Sequence, residues 1–194
     1  TVSIREALTI DGFNLSGFGL KDLFDLRYFI NSVILILSNN QEIKDYSFLA
    51  GLYRLRSLDL DNNKITELSI LSDIKSNINV ISLRDNCITD ISFLARFTHL
   101  RTIFLRNNKV TTLNGLENLK ELEELYINGN AVTLDGLRYI EQLCYSKVLS
   151  ILRIDRKIFW EYGEKFALYP EYLQWIDLIY FHERDGSVTK WYNY

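Results

Sequence analysis

Asp59 and Asp61 stand one residue apart in the segment Ser57-Leu58-Asp59-Leu60-Asp61. If that segment is extended, both carboxylates leave from the same face, because side chains alternate along a strand. Two acids on one face can exchange protons with a substrate or hold a hard cation. Nothing in the chain completes such a site. His99 and His182 fall in separate segments, and no His/Cys cluster has the spacing of metal ligands. Gly12, Gly17 and Gly19 lack both the GxGxxG spacing and the lysine of a phosphate-binding loop. No serine lies in a nucleophile-elbow motif. The simpler reading of the acid pair is a solvated surface. Cys87 and Cys144 read as packing residues, and two cysteines are too few for a disulfide-stapled domain. The expectation is a protein with no catalytic residues, no metal and no cofactor, and not an enzyme.

Aromatic and arginine residues offer a different chemistry, that of contact with another protein. They become legible through a spacing. Asn40, Asn63, Asn86, Asn108 and Asn130 follow one another at steps of 23, 23, 22 and 22 residues. Each closes the same apolar frame. Clear copies read Leu55-x-x-Leu58-x-Leu60-x-x-Asn63-x-Ile65 and Leu100-x-x-Ile103-x-Leu105-x-x-Asn108-x-Val110. Others are Ile78, Ile81, Leu83, Asn86, Ile88 and Leu122, Leu125, Ile127, Asn130, Val132. The first copy is looser: Ser32, Leu35, Leu37, Asn40, then one extra residue before Ile43. After the strand, Asp45-Tyr46-Ser47-Phe48-Leu49-Ala50 and Asp90-Ile91-Ser92-Phe93-Leu94-Ala95 are near-duplicates.

Each feature of the frame has a physical cause. Counting its first apolar residue as position 1, positions 4 and 6 of a strand point to one side and bury together. Position 1 and the apolar residue after Asn fill the same core from the bends. The Asn turns inward, where its amide satisfies backbone groups of neighbouring turns that water cannot reach. One copy cannot bury its own face, so stability comes from stacking.

This pattern resembles the leucine-rich-repeat superfamily. Ile88-Thr89-Asp90-Ile91-Ser92-Phe93-Leu94 resembles the short-arm class of 22-residue repeats typified by bacterial internalins. The resemblance implies an α/β leucine-rich-repeat solenoid: a right-handed superhelix with a curved parallel sheet, short helical or irregular return arms, and a cap at each end. It also implies a binding scaffold. The whole chain reads as a single domain. Residues 1–31 form an N-terminal cap and worn repeat, 32–143 the regular repeats, and 144–194 irregular repeats with an aromatic cap.

In such a stack the inner face of the sheet carries positions 3, 5 and 7. Position 5 runs Thr9, Ile36, Asp59, Ser82, Phe104, Tyr126, Arg153, Asp177. Position 7 runs Asp11, Ser38, Asp61, Arg84, Arg106, Asn128, Asp155, Ile179, and position 3 runs Ala7, Ile34, Ser57, Val80, Thr102, Glu124, Ile151, Trp175. Phe104, Tyr126 and Trp175 are the expected apolar anchors. Arg84, Arg106, Arg153, Asp59 and Asp61 are expected to set a partner's orientation. The bland alternative is that aromatic pairs merely stabilise the sheet.

The ends are less regular. Leu8-x-Ile10 with Leu15 reads as the worn copy, and Leu20, Leu23, Leu26 and Ile30 as one face of a capping helix. Val33–Leu37 is apolar throughout. It reads as a strand covered on both sides by that cap, the alternative being an apolar patch. Leu137, Ile140 and Cys144 predict a helix, as do Ile158, Tyr162 and Phe166 before Pro170. Leu149-x-x-Leu152-x-Ile154 and Leu173-x-x-Ile176-x-Leu178 keep the apolar strand without the Asn. Asp185-Gly186 predicts a hairpin whose last strand covers the sheet edge. Fourteen of the 26 aromatic residues lie in 139–194, enough to fill a cap core or to extend an interface.

Composition narrows the classes. Apolar residues make up 47% of the chain, too many for a disordered protein. A net charge of −3 gives no case for nucleic acid or an anionic membrane. No apolar run is long enough to span a bilayer. The reading is a non-enzymatic module that binds a protein partner through the concave sheet, a monomer or weak dimer, and cytoplasmic. Two alternatives stay open. One is a bacterial effector or toxin-neutralising immunity protein. The other is a regulatory subunit of a eukaryotic enzyme or assembly.

Overall fold

The structure is a computed structural model, and it describes residues 8–21, 23–145, 149–155, 158, 178–182 and 187–192. Among them, nine strands form one sheet in chain order. They are β1 (Gly12–Asn14), β2 (Ile34–Ile36), β3 (Ser57–Asp59), β4 (Val80–Ser82), β5 (Thr102–Phe104), β6 (Glu124–Tyr126), β7 (Ile151–Asp155), β8 (Leu178–His182) and β9 (Val188–Tyr192). Neighbours from β1 to β8 pair in parallel, and β9 runs antiparallel to β8. This is the stack of strand and return arm that the repeat implies.

The apolar frame supplies the core. Leu35, Leu58, Ile81, Ile103, Leu125 and Leu152 at position 4 are all buried. So are Leu37, Leu60, Leu83, Leu105, Ile127 and Ile154 at position 6. A fully buried Leu or Ile contributes roughly 1.5–3 kcal/mol, and each does so against the turns on either side. The arms close the core with single 3-10 turns, among them Ser47–Gly51, Leu68–Leu71, Ser92–Arg96 and Leu116–Asn118. The duplicated Asp45 and Asp90 explain two of these starts. Each accepts a hydrogen bond from the backbone N–H two residues on, at Ser47 and Ser92, both at 2.8 Å. Each turn then closes on a backbone bond such as Leu52 N–H to Leu49 O or Phe97 N–H to Leu94 O.

The asparagine ladder forms as expected. The Asn86 amide donates to Leu60 O on the preceding turn and to Leu83 O on its own, both at 3.0 Å. Its Oδ1 accepts from Asn63 N–H at 3.0 Å and Ile65 N–H at 2.9 Å. Asn108 and Asn130 repeat the scheme, accepting from Ile88 N–H and Val110 N–H. A second column was not foreseen. The residue before each ladder Asn is Asn39, Asn62, Asp85, Asn107 or Gly129, and all five have φ between 52° and 74°. Asn, Asp and Gly are the types that tolerate this left-handed conformation. Their side chains bond to one another: Asn62 Nδ2 to Asn39 Oδ1 and Asn107 Nδ2 to Asp85 Oδ1, both at 2.7 Å.

The fifth arm is a full α-helix, α1 (Leu134–Tyr145), which buries Leu137, Ile140 and Leu143. The Thr133 hydroxyl caps it by accepting from Gly136 N–H at 3.1 Å. The antiparallel pair of β8 and β9 is the expected hairpin. Its turn, the predicted helix before Pro170 (apart from Ile158) and the Leu173-x-x-Ile176 part of its frame lie outside the described residues.

The N-terminal expectations need correction. Phe13, not Leu8, takes position 4, since Phe13 pairs with Leu35. The aromatic wins because it packs edge-on against Phe29, ring centres 4.4 Å apart, while Leu8 is exposed. Thr9 and Asp11 therefore leave their expected columns, and Gly12 and Asn14 sit opposite Ile34 and Ile36. Leu23 and Leu26 are buried and Leu20 is half-buried, but Ile30 is exposed. Phe24–Tyr28 is a 3-10 turn beside that of Ser47–Gly51, so this segment is the arm of the first strand. It packs below the sheet and does not cover it. Ile34 is consequently 47% exposed and Ile36 half-buried, so the apolar patch replaces the doubly covered strand.

Candidate functional site

Register fixes the concave face. Ile36, Asp59, Ser82, Phe104, Tyr126 and Arg153 are successive partners across β2 to β7, as the repeat predicts. At the far end Tyr180, not Asp177, pairs with Arg153, and Leu178, not Trp175, pairs with Ile151. The frame Leu173-x-x-Ile176-x-Leu178 is thus displaced by three residues. Ile179 is the partner of Leu152, and the pairing of β8 with β9 runs in the same register from Leu178 to His182. Trp175 is removed from its expected column and lies outside the described residues.

The remaining side chains meet in one row across the sheet. The Asp61 carboxylate accepts from Ser82 Oγ at 2.6 Å and from Arg84 N–H at 2.7 Å, and it pairs with Arg84 Nη1 at 3.2 Å. The same guanidinium lies over the Phe104 ring, 3.9 Å from its centre. Phe104 lies against Tyr126 with ring centres 4.5 Å apart and planes tilted by 31°. Arg153 covers the other side, 5.2 Å from the Tyr126 ring centre. The order is acid, cation, ring, ring, cation. Each contact of this kind adds roughly 0.5–1.5 kcal/mol beyond area burial.

Two predicted residues stand apart from that row. The Asp59 carboxylate accepts from Asp61 N–H at 2.9 Å. Burial holds its carboxyl above the ordinary carboxylate range; the neighbouring Asp61 charge adds to this, while the Asp61 N–H and the Arg84 charge oppose it. Arg106 is exposed, one turn beyond Arg84. Sequence reasoning missed Ser82, whose hydroxyl fixes Asp61, and Glu124, which accepts from the Tyr126 hydroxyl at 2.9 Å. Both sit in concave columns, so alternation was enough to find them. On the lip beside the strands, Glu121 accepts from His99 Nδ1 at 3.0 Å and pairs with Arg101 at 3.2 Å, and Arg101 also reaches Glu123. The His99 hydrogen bond, with Arg101 behind it, lowers the Glu121 pKa.

This row can grip apolar and charged groups together, but it has no nucleophile beside a base. Cys87 is a half-buried free thiol, and the side chain of Cys144 lies outside what is described. Among the described residues no helix is long and apolar enough to cross a membrane.

The repeat, the sheet and the ladder define a leucine-rich-repeat protein, and comparison agrees. A family model for leucine-rich repeats in two copies matches residues 33–73, 76–118 and 98–139, more than half of the chain. The chain belongs to the leucine-rich-repeat family. Its structural neighbours include an internalin of Listeria monocytogenes with TM-score 0.63 and 24% identity, covering 80% of this chain and 52% of that one. A second internalin of the same organism has TM-score 0.62 and 26% identity, covering 79% of this chain and 77% of its own. A leucine-rich-repeat protein of Leptospira interrogans has TM-score 0.59 and 22% identity, covering 78% and 50%. The chain therefore spans about half the length of two of these neighbours. No curated protein matches by sequence. The repeat is of the internalin-like class, and leucine-rich-repeat proteins generally act in protein–protein interaction.

Proposed function

We propose that the concave sheet of this protein binds a protein partner, centred on Phe104 and Tyr126. The observation that carries this reading is the half-exposed ring pair held between Arg84 and Arg153. The rings are fixed before a partner arrives, so little side-chain freedom is lost on binding. Arg and Tyr are the types that dominate hot spots, and a central aromatic pair ringed by charge is the usual anatomy of one. Arg106 extends the row as an exposed cation, and Ile34 with Ile36 extends it as apolar surface toward β1. Acids and bases alternate across the face, which suits a protein surface better than a polyanion.

The test is a quantitative pull-down from the native host's lysate, comparing the wild-type chain with Arg106→Glu/Tyr126→Ala. Both should fold alike, because Arg106 is exposed and Tyr126 forfeits only about 0.5–1.5 kcal/mol of ring stacking. A protein retained by the wild type and lost by the variant, then shown to bind the purified chain directly, supports the reading. Equal retention by both would move binding off the concave face.

A further inference from the structure

The return arms are zipped together everywhere except at one junction. Cys87 N–H donates to Ile65 O at 2.8 Å, Lys109 N–H to Ile88 O at 2.9 Å, and Ala131 N–H to Val110 O at 3.1 Å. The equivalent pair at the first junction is Lys64 N–H and Ile43 O, and they make no such bond. The cause is the extra residue between Asn40 and Ile43. It turns Ile43 N–H back onto Asn40 O at 3.2 Å, whereas Ile65, Ile88 and Val110 donate to the next ladder Asn. The unzipped arms leave a cleft of about 260 Å³, lined among others by Lys44, Tyr46, Lys64, Ile65 and Glu67.

Tyr46 is out of place there. The same column holds Leu68, Ile91 and Leu113, all aliphatic and buried. Tyr46 is only 5% exposed, yet its hydroxyl has no hydrogen-bond partner. A buried hydroxyl left unpaired costs about 1–3 kcal/mol, and a phenylalanine would avoid it. Burial pushes its phenol up to about 12, so it remains a donor at any physiological pH. The cleft thus combines a phenol O–H, a backbone N–H freed by the insertion, and two ammonium groups against the single carboxylate of Glu67. Glu67 is itself engaged by Ser69 Oγ at 3.5 Å.

We infer that this cleft is a binding site for a ligand carboxylate, with Tyr46 and the Lys64 backbone N–H as its donors and Lys44 and Lys64 as its countercharge. An acceptor-only anion is the group that answers several converging donors. A carboxylate of that kind arises at a chain terminus or on an acidic side chain. The site is independent of the concave face and of the function proposed for it.

The test is amide NMR on the intact chain. One probe is N-acetylalanine, whose carboxylate is terminal. Another is N-acetylglutamate methylamide, whose carboxylate is on the side chain, with N-acetylglutamine methylamide as the neutral control. The expected result is a saturable shift of the Lys64 N–H with a carboxylate probe and none with the neutral control. Which probe acts identifies the source of the carboxylate. Tyr46→Phe should weaken the effect about tenfold while the protein stays folded, the scale of one hydrogen bond to a charged group. Lys64→Asn, which tolerates the φ of 58° at that position, removes one charge and should weaken binding as well. Absence of any saturable shift, an equal response to the neutral control, or undiminished binding by Tyr46→Phe would each overturn the site.

Discussion

Asn86 shows how much one side chain can hold. Its amide bridges three consecutive turns, accepting from the backbone of one copy while donating to two carbonyls in the stack. Asn86→Ala leaves several of these buried groups without water or partner, and an expected loss of about 1–3 kcal/mol follows for the first such group alone. Urea unfolding of the variant checks it. Asn107→Val tests the left-handed column. Its φ of 55° is costly for a β-branched residue, and the bond to Asp85 is lost too, so a loss of about 1–2 kcal/mol is expected by the same assay. Asp59 makes a pH prediction. Its folded-state pKa is raised by burial, so its stabilising contribution is complete below the ordinary carboxylate pKa and is lost as pH rises through the raised value. At neutral pH the ionised group is therefore a cost. Asp59→Asn keeps the acceptor for Asp61 N–H and should raise Tm at about pH 7, with the gain vanishing near pH 3. A gain that is unchanged by acid would show that the effect is not electrostatic.

Strand β9 is the one element that breaks the parallel rule, and its position gives the reason. Every other strand from β2 onward is paired on both sides by its own kind, but β8 has no following repeat among the described residues. An uncovered parallel edge recruits other chains. Ending the chain before Ser187 removes β9 and should convert a homogeneous species into oligomers. Light scattering after size exclusion would register the change. A truncated chain that stays monodisperse would assign protection of that edge to some other segment.

Across the molecule, one repeating core is read out differently on its two surfaces. Positions 4 and 6 are nearly invariant in chemistry because each must fill the same slot between identical neighbours. Positions 5 and 7 answer to no such slot, so they carry the variation from Ile36 through Asp59 to Phe104 and Arg153. Function in this architecture is therefore concentrated in the columns that stability leaves open, and the proposed concave interface lies in them. The arms obey the same logic. An added residue in one arm disturbs only the junction it borders, since each repeat contacts its neighbours alone.

The repeat period, the inward Asn, the buried frame and the concave columns from β2 to β7 were legible in the chain because each rests on local alternation. The left-handed column was equally present in the order Asn, Asn, Asp, Asn, Gly and was simply not sought. What the chain could not yield was register where the frame wears out. Leu8 and Phe13 both offer an apolar residue at the first strand, and only the packing of Phe13 on Phe29 selects one. Trp175 and Leu178 compete in the same way at the last parallel strand, where pairing with β7 and β9 settles it over five consecutive residues. Pairwise contacts also lie beyond a one-dimensional reading. Columns state which side chains are neighbours, but whether Arg84 turns to Asp61, to Phe104 or to solvent depends on rotamers that only packed neighbours fix. The exposure of Ile34 has the same origin: an apolar strand reads alike whether an arm passes over it or beneath it, and here it passes beneath.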